Sequence, residues 1–422
     1  MGDLGIMRGM GLNEVPAGER VHIAFFGRRN AGKSSLVNAI TGQNLAIVSD
    51  VKGTTTDPVY KSMELLPLGP VVIIDTPGFD DEGHLGEIRV NRAKKVLNKT
   101  DVAVLVLDGE LLPNNPLSHE EELLGLIKIK RIPYIIVINK LKENNEQQLC
   151  AFAFFAPLRE KNGNDFLPVS AKTGFNINLL KEKIAALAQT NEPKRRLVAD
   201  LIRVNDLVVL VIPIDKSAPK GRLILPQQQT IRDILEAGGT AIAVRESELR
   251  QTLINIGKKP ALVITDSQVF ALVSGIVPED IPLTSFSILF ARYKGFLETA
   301  VKGAFALNNI NEGDKILICE GCTHHRQCDD IGTVKIPNMI KKHLSVEPQF
   351  SFCSGSDFPQ DLSGYKLIIH CGSCMLNERE TRYRYLLAEE QNIPFTNYGI
   401  IIAHIQGILK RCITMFTEIQ QE

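Results

Sequence analysis

Two groups of residues in this chain have the types and spacing to do chemistry. Gly27-Arg-Arg-Asn30-Ala-Gly32-Lys33-Ser34 is a nucleotide phosphate loop. Far downstream, Cys322-Thr-His324 and then His370-Cys371-Gly-Ser-Cys374 set thiols and imidazoles in a soft-metal constellation. The first group can bind and polarise phosphates; the second can hold a metal centre.

The loop presents backbone N–H groups and a helix N-terminus, whose dipoles converge on a β-phosphate. Asn30, Ala31, Gly32, Lys33, Ser34 and Ser35 are its candidate phosphate contacts. Lys33 reaches the β- and γ-phosphates, and the Ser34 hydroxyl suits Mg²⁺. Four further elements follow in the order that a GTPase requires. Gly53-Thr54-Thr55-Thr56-Asp57 supplies a switch threonine, Thr55. Asp75-Thr76-Pro77-Gly78 places Asp75 for the Mg²⁺ shell and the Gly78 N–H for the γ-phosphate. Asn139-Lys140 and Ser170-Ala171-Lys172 are the candidate base contacts. With GTP as substrate, Lys33, Thr55 and Gly78 are candidate catalytic groups, and Ser34, Thr55 and Asp75 are candidate Mg²⁺ ligands.

The base-reading run departs from pattern: it is Asn139-Lys140-Leu141-Lys142, where an Asp is expected in place of Lys142. Lysine has only donors and cannot accept from the guanine N1–H and 2-amino group. Losing that charge-assisted pair costs roughly 1.5–3 kcal/mol, so weaker guanine discrimination is expected.

Cys371-Gly-Ser-Cys374 by itself fits a redox pair, a zinc ribbon or an iron–sulfur cluster. A redox pair leaves His370 and Cys322-Thr-His324 without a role. Zinc fits Cys322, Cys371, Cys374 and one His as a closed tetrahedral site. A [4Fe–4S] cluster fits the same thiolates and leaves one iron for an exchangeable ligand. These residues leave zinc and cluster both open. His324, His370, Asp329 and Asp330 compete with water or an external group for the fourth position. Cys319 and Cys353 read as core, Cys150 and Cys412 as buried small hydrophobes, and Cys328 is extra to the constellation.

The elements that position these residues are legible as short apolar runs at 21–26, 71–75, 102–108 and 134–139, with helical spacers such as 35–42 and 87–98. Strands alternating with helices make this an α/β chain with a mostly parallel sheet. We read three domains: a P-loop GTPase at 1–193, a small α/β middle domain at 194–280 and an α/β metal-binding domain at 281–422. Strands in the middle domain are expected at 206–212, 240–244 and 261–265, and a long amphipathic stretch runs from Ser285 to Asn308. In the third, strands are expected at 315–319, 349–353 and 366–370, so both halves of the Cys/His constellation follow strand ends, where open α/β sheets bind ligands.

Lys+Arg and Asp+Glu balance at 48 each, which argues against nucleic-acid or membrane-surface binding. No apolar run reaches the roughly 18 residues of a membrane span, and Met1–Leu12 lacks the features of a signal peptide. A cytoplasmic protein is expected. Six of the eight cysteines fall between Cys319 and Cys374, a crowding that points to metal chemistry rather than disulfides.

The GTPase motifs resemble the TrmE-Era-EngA-like family. Phe79 stands where Ras-like enzymes carry a catalytic Gln, and Asn30 matches the Asn that binds K⁺ in potassium-activated members. Glu87 matches the acidic switch residue that orients water in the tRNA-modifying member. Over its whole length, the chain's order of GTPase, middle domain and C-x-H…H-C-x-x-C resembles the HydF family of [FeFe]-hydrogenase maturation GTPases. That resemblance implies a [4Fe–4S] cluster on Cys322, Cys371 and Cys374 with a labile fourth site. It further implies a di-iron precursor carried to apo-[FeFe]-hydrogenase, radical-SAM maturases as partners, and a homodimer formed through the middle domain. The alternative is a K⁺-dependent tRNA-modification or ribosome-assembly GTPase with a structural zinc domain.

Overall fold

A parallel sheet covered on both faces demands strands that are apolar on both sides, and the apolar runs of this chain meet that demand. The computed structural model describes residues 15–42, 58–78, 93–110, 118–140, 166–189, 195–214, 223–321, 330–355 and 357–416. Thr55, Phe79, Glu87, Lys142, Cys150, Cys322, His324, Cys328 and Asp329 lie outside these residues. The chain divides into two units, Met1–Glu192 and Pro193–Glu422.

The first unit is built on β1 (Val21–Phe26), β2 (Val59–Leu65), β3 (Gly69–Asp75), β4 (Val102–Asp108), β5 (Tyr134–Asn139) and β6 (Leu167–Pro168). Their order across the sheet is β2-β3-β1-β4-β5-β6, all parallel except β2, which runs antiparallel to β3. Helices α1 (Lys33–Thr41), α2 (Ser118–Ile129) and α3 (Ile177–Ala188) belong to the same unit. Alternate residues of β1 serve opposite faces: Ala24 and Phe26 enter one core, Ile23 and Phe25 the other. β2 escaped the sequence reading because its Lys61, Ser62 and Glu64 break any apolar run; it is a largely exposed edge.

The second unit holds two four-stranded parallel sheets. One contains β7 (Leu207–Val211), β8 (Thr240–Val244), β9 (Leu262–Thr265) and β10 (Leu283–Ser285), in the order β10-β9-β7-β8. Helices α4 (Leu225–Glu236), α5 (Leu249–Asn255) and α6 (Phe270–Ile276) connect them. The other contains β11 (Lys315–Glu320), β12 (Gln349–Ser354), β13 (Leu367–His370) and β14 (Phe395–Asn397), in the order β12-β11-β13-β14. The remaining helices are α7 (Phe286–Tyr293), α8 (Leu297–Phe305), α9 (Ile336–Leu344), α10 (Glu378–Glu390), α11 (Tyr398–Ile405) and α12 (Leu409–Ile413).

Two features differ from the sequence reading. The first sheet of this unit continues past residue 280, where the third domain was expected to start, because Leu283–Ser285 pairs with β9. One continuous apolar core then runs beneath both sheets, from Leu197 to Phe416. The stretch 285–308 is not one helix. Ser285 caps α7 by accepting from the Ile288 N–H at 3.2 Å, and Gly295 turns the chain with φ of +81° before α8 begins.

Candidate functional site

In the first unit, the loop after β1 lies at the point where the strand order reverses, with β3 on one side and β4 on the other. Gly27 has φ of +155°, and a Cβ there would meet the Val106 carbonyl oxygen at 2.3 Å. Gly32 has φ of +85° and admits no side chain either: its Cβ would come within 2.2 Å of Asn139 Nδ2. That amide is fixed at both ends. Asn139 Nδ2 donates to the Ala31 carbonyl at 3.1 Å, and Asn139 Oδ1 accepts from the Ala171 N–H at 3.1 Å. One side chain thus ties the phosphate loop, the end of β5 and the Ser170-Ala171-Lys172 turn together. Ser170 Oγ accepts from the Thr173 N–H and closes that turn.

Lys33 opens α1 and is buried, its ammonium donating to the Gly27 and Arg28 carbonyls at 2.8 Å each. Ser34 Oγ donates to Asp75 Oδ2 at 2.5 Å. Asp75 Oδ1 is buried with no partner among the described residues, and burial raises the carboxyl above its ordinary range. A hydroxyl beside a half-satisfied buried carboxylate is the donor set that a hard divalent cation such as Mg²⁺ requires. Gly78 rests on the loop: a Cβ there would meet the Arg29 backbone nitrogen at 2.5 Å. Asn30 is exposed, with φ of +60°.

Sequence reading missed two anchors of this site. Arg28 forks onto Glu120 of α2, with Nε–Oε1 at 2.6 Å and Nη2–Oε2 at 2.8 Å. Lys140 pairs with Asp108 at the end of β4 at 2.6 Å. Neither acid belongs to a recognisable motif, so only the fold reveals them.

In the second unit another reversal of strand order falls between β11 and β13, and Cys371 and Cys374 lie at the carboxyl end of β13 there. Cys371 follows β13, and its Sγ accepts from the Gly321 N–H at 3.0 Å. This bond joins the end of the β11 strand to the Cys371 segment; Cys322 and His324 lie outside the described residues. Cys374 sits three residues on, its thiol raised mainly by burial. Lys294, buried, donates to the Leu376 carbonyl at 3.1 Å, close enough for its charge to oppose that rise at Cys374. Thiols beside buried cations suit an anionic thiolate-bound centre.

His370 corrects the expectation that it is a candidate fourth ligand. It is fully buried, Nε2 accepts from Arg384 Nη1 at 2.9 Å, and Nδ1 donates to the Cys371 carbonyl at 2.9 Å. Burial first, and then the Arg384 charge, push its pKa down to about 3. It is a neutral imidazole with both nitrogens engaged, bracing the backbone of Cys371 from behind. Asp330 is likewise engaged: its Oδ2 accepts from the Thr333 N–H at 2.8 Å and hydroxyl at 2.9 Å, capping a helical turn. Arg384 was missed altogether. It is 1% exposed and donates to Glu380 Oε1 at 2.8 Å from Nη2 and to the Gly355 carbonyl at 2.5 Å. The Glu380-x₃-Arg384 spacing on a helix was the available signal. Cys412 is core, its thiol pushed up to about 12 by burial. Cys319 and Cys353 are less ordinary: they face each other with sulfurs 3.0 Å apart.

Comparison with known proteins divides the chain in the same order. Residues 22–140 match the family described as a 50S ribosome-binding GTPase. Residues 197–295 match the hydrogen maturase F dimerization domain, and residues 298–415 match the hydrogen maturase F tetramerization domain. Among curated relatives, GTPase Der of Wolinella succinogenes is 38% identical over 41% of this chain and 36% of its own length. GTPase Era of Heliobacterium modesticaldum is 29% identical over 48% of the chain and 74% of its own. The tRNA modification GTPase MnmE of Chromobacterium violaceum is 32% identical over 39% and 34%. The chain therefore spans about a third of the Der and MnmE relatives and about three quarters of Era. Among solved structures, a probable GTP-binding protein EngB is 28% identical over 40% of this chain and 98% of its own, with a TM-score of 0.33. The family match over residues 22–140 and the curated GTPase relatives make the N-terminal domain a P-loop GTPase. Among the described residues no helix is long and apolar enough to cross a membrane.

Proposed function

Because the chain belongs to the hydrogen maturase F family of GTPases, we propose that it is a GTP-hydrolysing scaffold that carries an iron–sulfur centre in hydrogenase maturation. Cys322, Cys371 and Cys374 would hold a [4Fe–4S] cluster, and a di-iron precursor would be the cargo passed to apo-[FeFe]-hydrogenase. Radical-SAM maturases would build that cargo's ligands. The matched dimerization and tetramerization domains support self-association of the chain. The observation that supports the reading is the Gly321 N–H bond to Cys371 Sγ, which holds the residue before Cys322 against the Cys371 segment.

In the GTPase unit, Lys33 and the backbone N–H groups from Asn30 to Ser35 would cradle the phosphates. Ser34 and Asp75 would hold Mg²⁺, with Thr55 as the switch ligand; the bound ion supplies charge to the γ-phosphate oxygens. The Gly78 N–H would read the γ-phosphate, and Glu87 would orient water. Asn139, Lys140 and the Ser170–Lys172 turn would read the base. Asn30 would take K⁺, whose charge stands where an arginine finger stands elsewhere. At the other site, thiolate ligation needs deprotonated sulfurs. The Gly321 N–H and the charge of Lys294 stabilise that form, and His370 holds the Cys371 backbone in place.

The test is EPR of the anaerobically purified, dithionite-reduced chain, with iron and sulfide counted. A [4Fe–4S]⁺ signal lost in Cys371→Ser is expected. Little iron and one tightly held zinc would overturn the scaffold reading.

A further inference from the structure

We propose that Cys319 and Cys353 form a redox-active dithiol that low-molecular-weight disulfides, such as oxidised glutathione, convert to an intramolecular disulfide. The pair is separate from the three cysteines assigned to the cluster, and the proposal does not depend on that assignment. Cys319 of β11 and Cys353 of β12 are direct partners in the parallel register. In-register neighbours in a sheet lie about 4.8 Å apart at the backbone, within the roughly 4.4–6.8 Å span that a disulfide bridges. Their sulfurs are 3.0 Å apart, so a movement of about 1 Å completes a bond of ~2.05 Å.

The two thiols differ in access. Cys319 is sealed at 0% exposure, whereas Cys353 is partly exposed on the edge strand of the sheet. Cys353 is therefore the attacking group and Cys319 the resolving one. The Cys319 thiol beside it, and the nearby Arg384 guanidinium, hold the Cys353 thiol below its ordinary range against the opposing effect of burial. In the first step the Cys353 thiolate attacks one sulfur of the oxidant. A mixed disulfide forms, and one thiolate leaves. In the second step Cys319 gives up its proton and attacks Cys353 Sγ, and the second oxidant thiol departs with that proton. Two electrons pass from the protein thiols to the oxidant disulfide, which ends as two thiols. The bond would form close behind the cluster loop, since the Cys319 carbonyl accepts from the Cys371 N–H at 2.8 Å.

The experiment uses the full chain, purified anaerobically and equilibrated across ratios of reduced to oxidised glutathione. Acid quenching, alkylation and peptide mass spectrometry follow. The expected result is a peptide cross-link whose fragments place it on Cys319 and Cys353, with alkylation of both lost together. The link persists in Cys322→Ser and disappears in Cys353→Ser. Reduced protein is further expected to bind one equivalent of phenylarsine oxide at this pair, a stoichiometry retained in the Cys322→Ser/Cys371→Ser/Cys374→Ser variant and lost on adding Cys353→Ser. Two results would each overturn the proposal: both thiols alkylated at every ratio, or glutathione trapped on Cys353 without passing to Cys319.

Discussion

Replacing Arg384 with Met should loosen the strand that presents Cys371, and the structure sets the scale. Arg384 is fully buried and makes charge-assisted bonds to Glu380, together with bonds to the Gly355 carbonyl and His370 Nε2. Arg384→Met fills the same volume but strips the Glu380 carboxylate, itself only 12% exposed, of its cation. Removing one partner of a buried ion pair costs about 3–5 kcal/mol, whereas replacing both with apolar groups is often neutral. The paired variant Arg384→Met/Glu380→Leu should therefore recover most of the loss. Because the chain has two units, a single global unfolding energy is ill defined, and the assay is amide hydrogen exchange read in peptides covering 367–390. At about 1.4 kcal/mol per tenfold, the single variant should exchange there a hundredfold or more faster. Exchange within threefold of the parent, or a paired variant no better than the single, would refute the reasoning.

Three further outcomes follow from the same geometry. The His370 pKa falls from 6.5 to about 3 on folding, so the unfolded chain takes up a proton near pH 6.5 that the native chain refuses. Its contribution to stability is complete well above pH 6.5 and is lost progressively as pH falls towards 3, amounting to about 2 kcal/mol between pH 7 and pH 5; the protection factors of the β13 amides, with the intrinsic pH dependence of exchange divided out, should fall about thirtyfold over that range, and unchanged protection factors refute it. Gly32→Ala puts a methyl against Asn139 Nδ2 at a positive φ, costing about 1–2 kcal/mol for the backbone alone, so GTP affinity measured by fluorescent-analogue titration should fall at least tenfold. GTP hydrolysis should be faster in K⁺ than in Na⁺, and Asn30→Ala should abolish the difference; equal rates in the parent protein count against the cation assignment.

The strands that carry chemistry were legible because parallel strands buried on both faces must be continuous apolar runs. Val102–Asp108 and Tyr134–Asn139, buried at every position, were read to the residue for that reason. β2 was not legible, since an edge strand with one wet face carries no such run. Nor was the break in 285–308: the apolar spacing continues across Gly295, and only the packing of α7 and α8 against β10 and β14 fixes the turn. Of the candidate site, the phosphate loop, Asp75 and the Cys371 segment were readable because their spacing is set by phosphate and metal geometry. The partners that hold them (Glu120, Asp108, Arg384) are distant in sequence and ordinary in type. The same property misled the reading of His370. Its position next to Cys371 signals a ligand, whereas burial against Arg384 makes it a support.

Both sites answer one structural problem in the same way. A parallel sheet leaves its carboxyl edge open where the strand order reverses, and the loops from the two central strands diverge there to opposite faces. In the first unit that edge holds the glycine loop after β1, hemmed in by Val106 and Asn139 so that no side chain fits at Gly27 or Gly32. In the second unit it lies between β11 and β13, where the ladder ends at Cys319↔His370 and the Gly321 N–H reaches Cys371 Sγ just beyond it. The chemistry differs because of what the loops carry: glycines that expose amide dipoles for phosphate in one, thiols that bind soft metals in the other. The backing differs too. The phosphate loop is held by the Asn139 amide with Lys33 and Asp75 beside it, whereas the buried Lys294 lies near Cys374 and Arg384 braces His370 behind Cys371. Exchanging those cations for neutral residues should therefore weaken thiolate ligation while leaving the strand geometry that assembles the cysteines largely in place, provided their buried partners are neutralised with them.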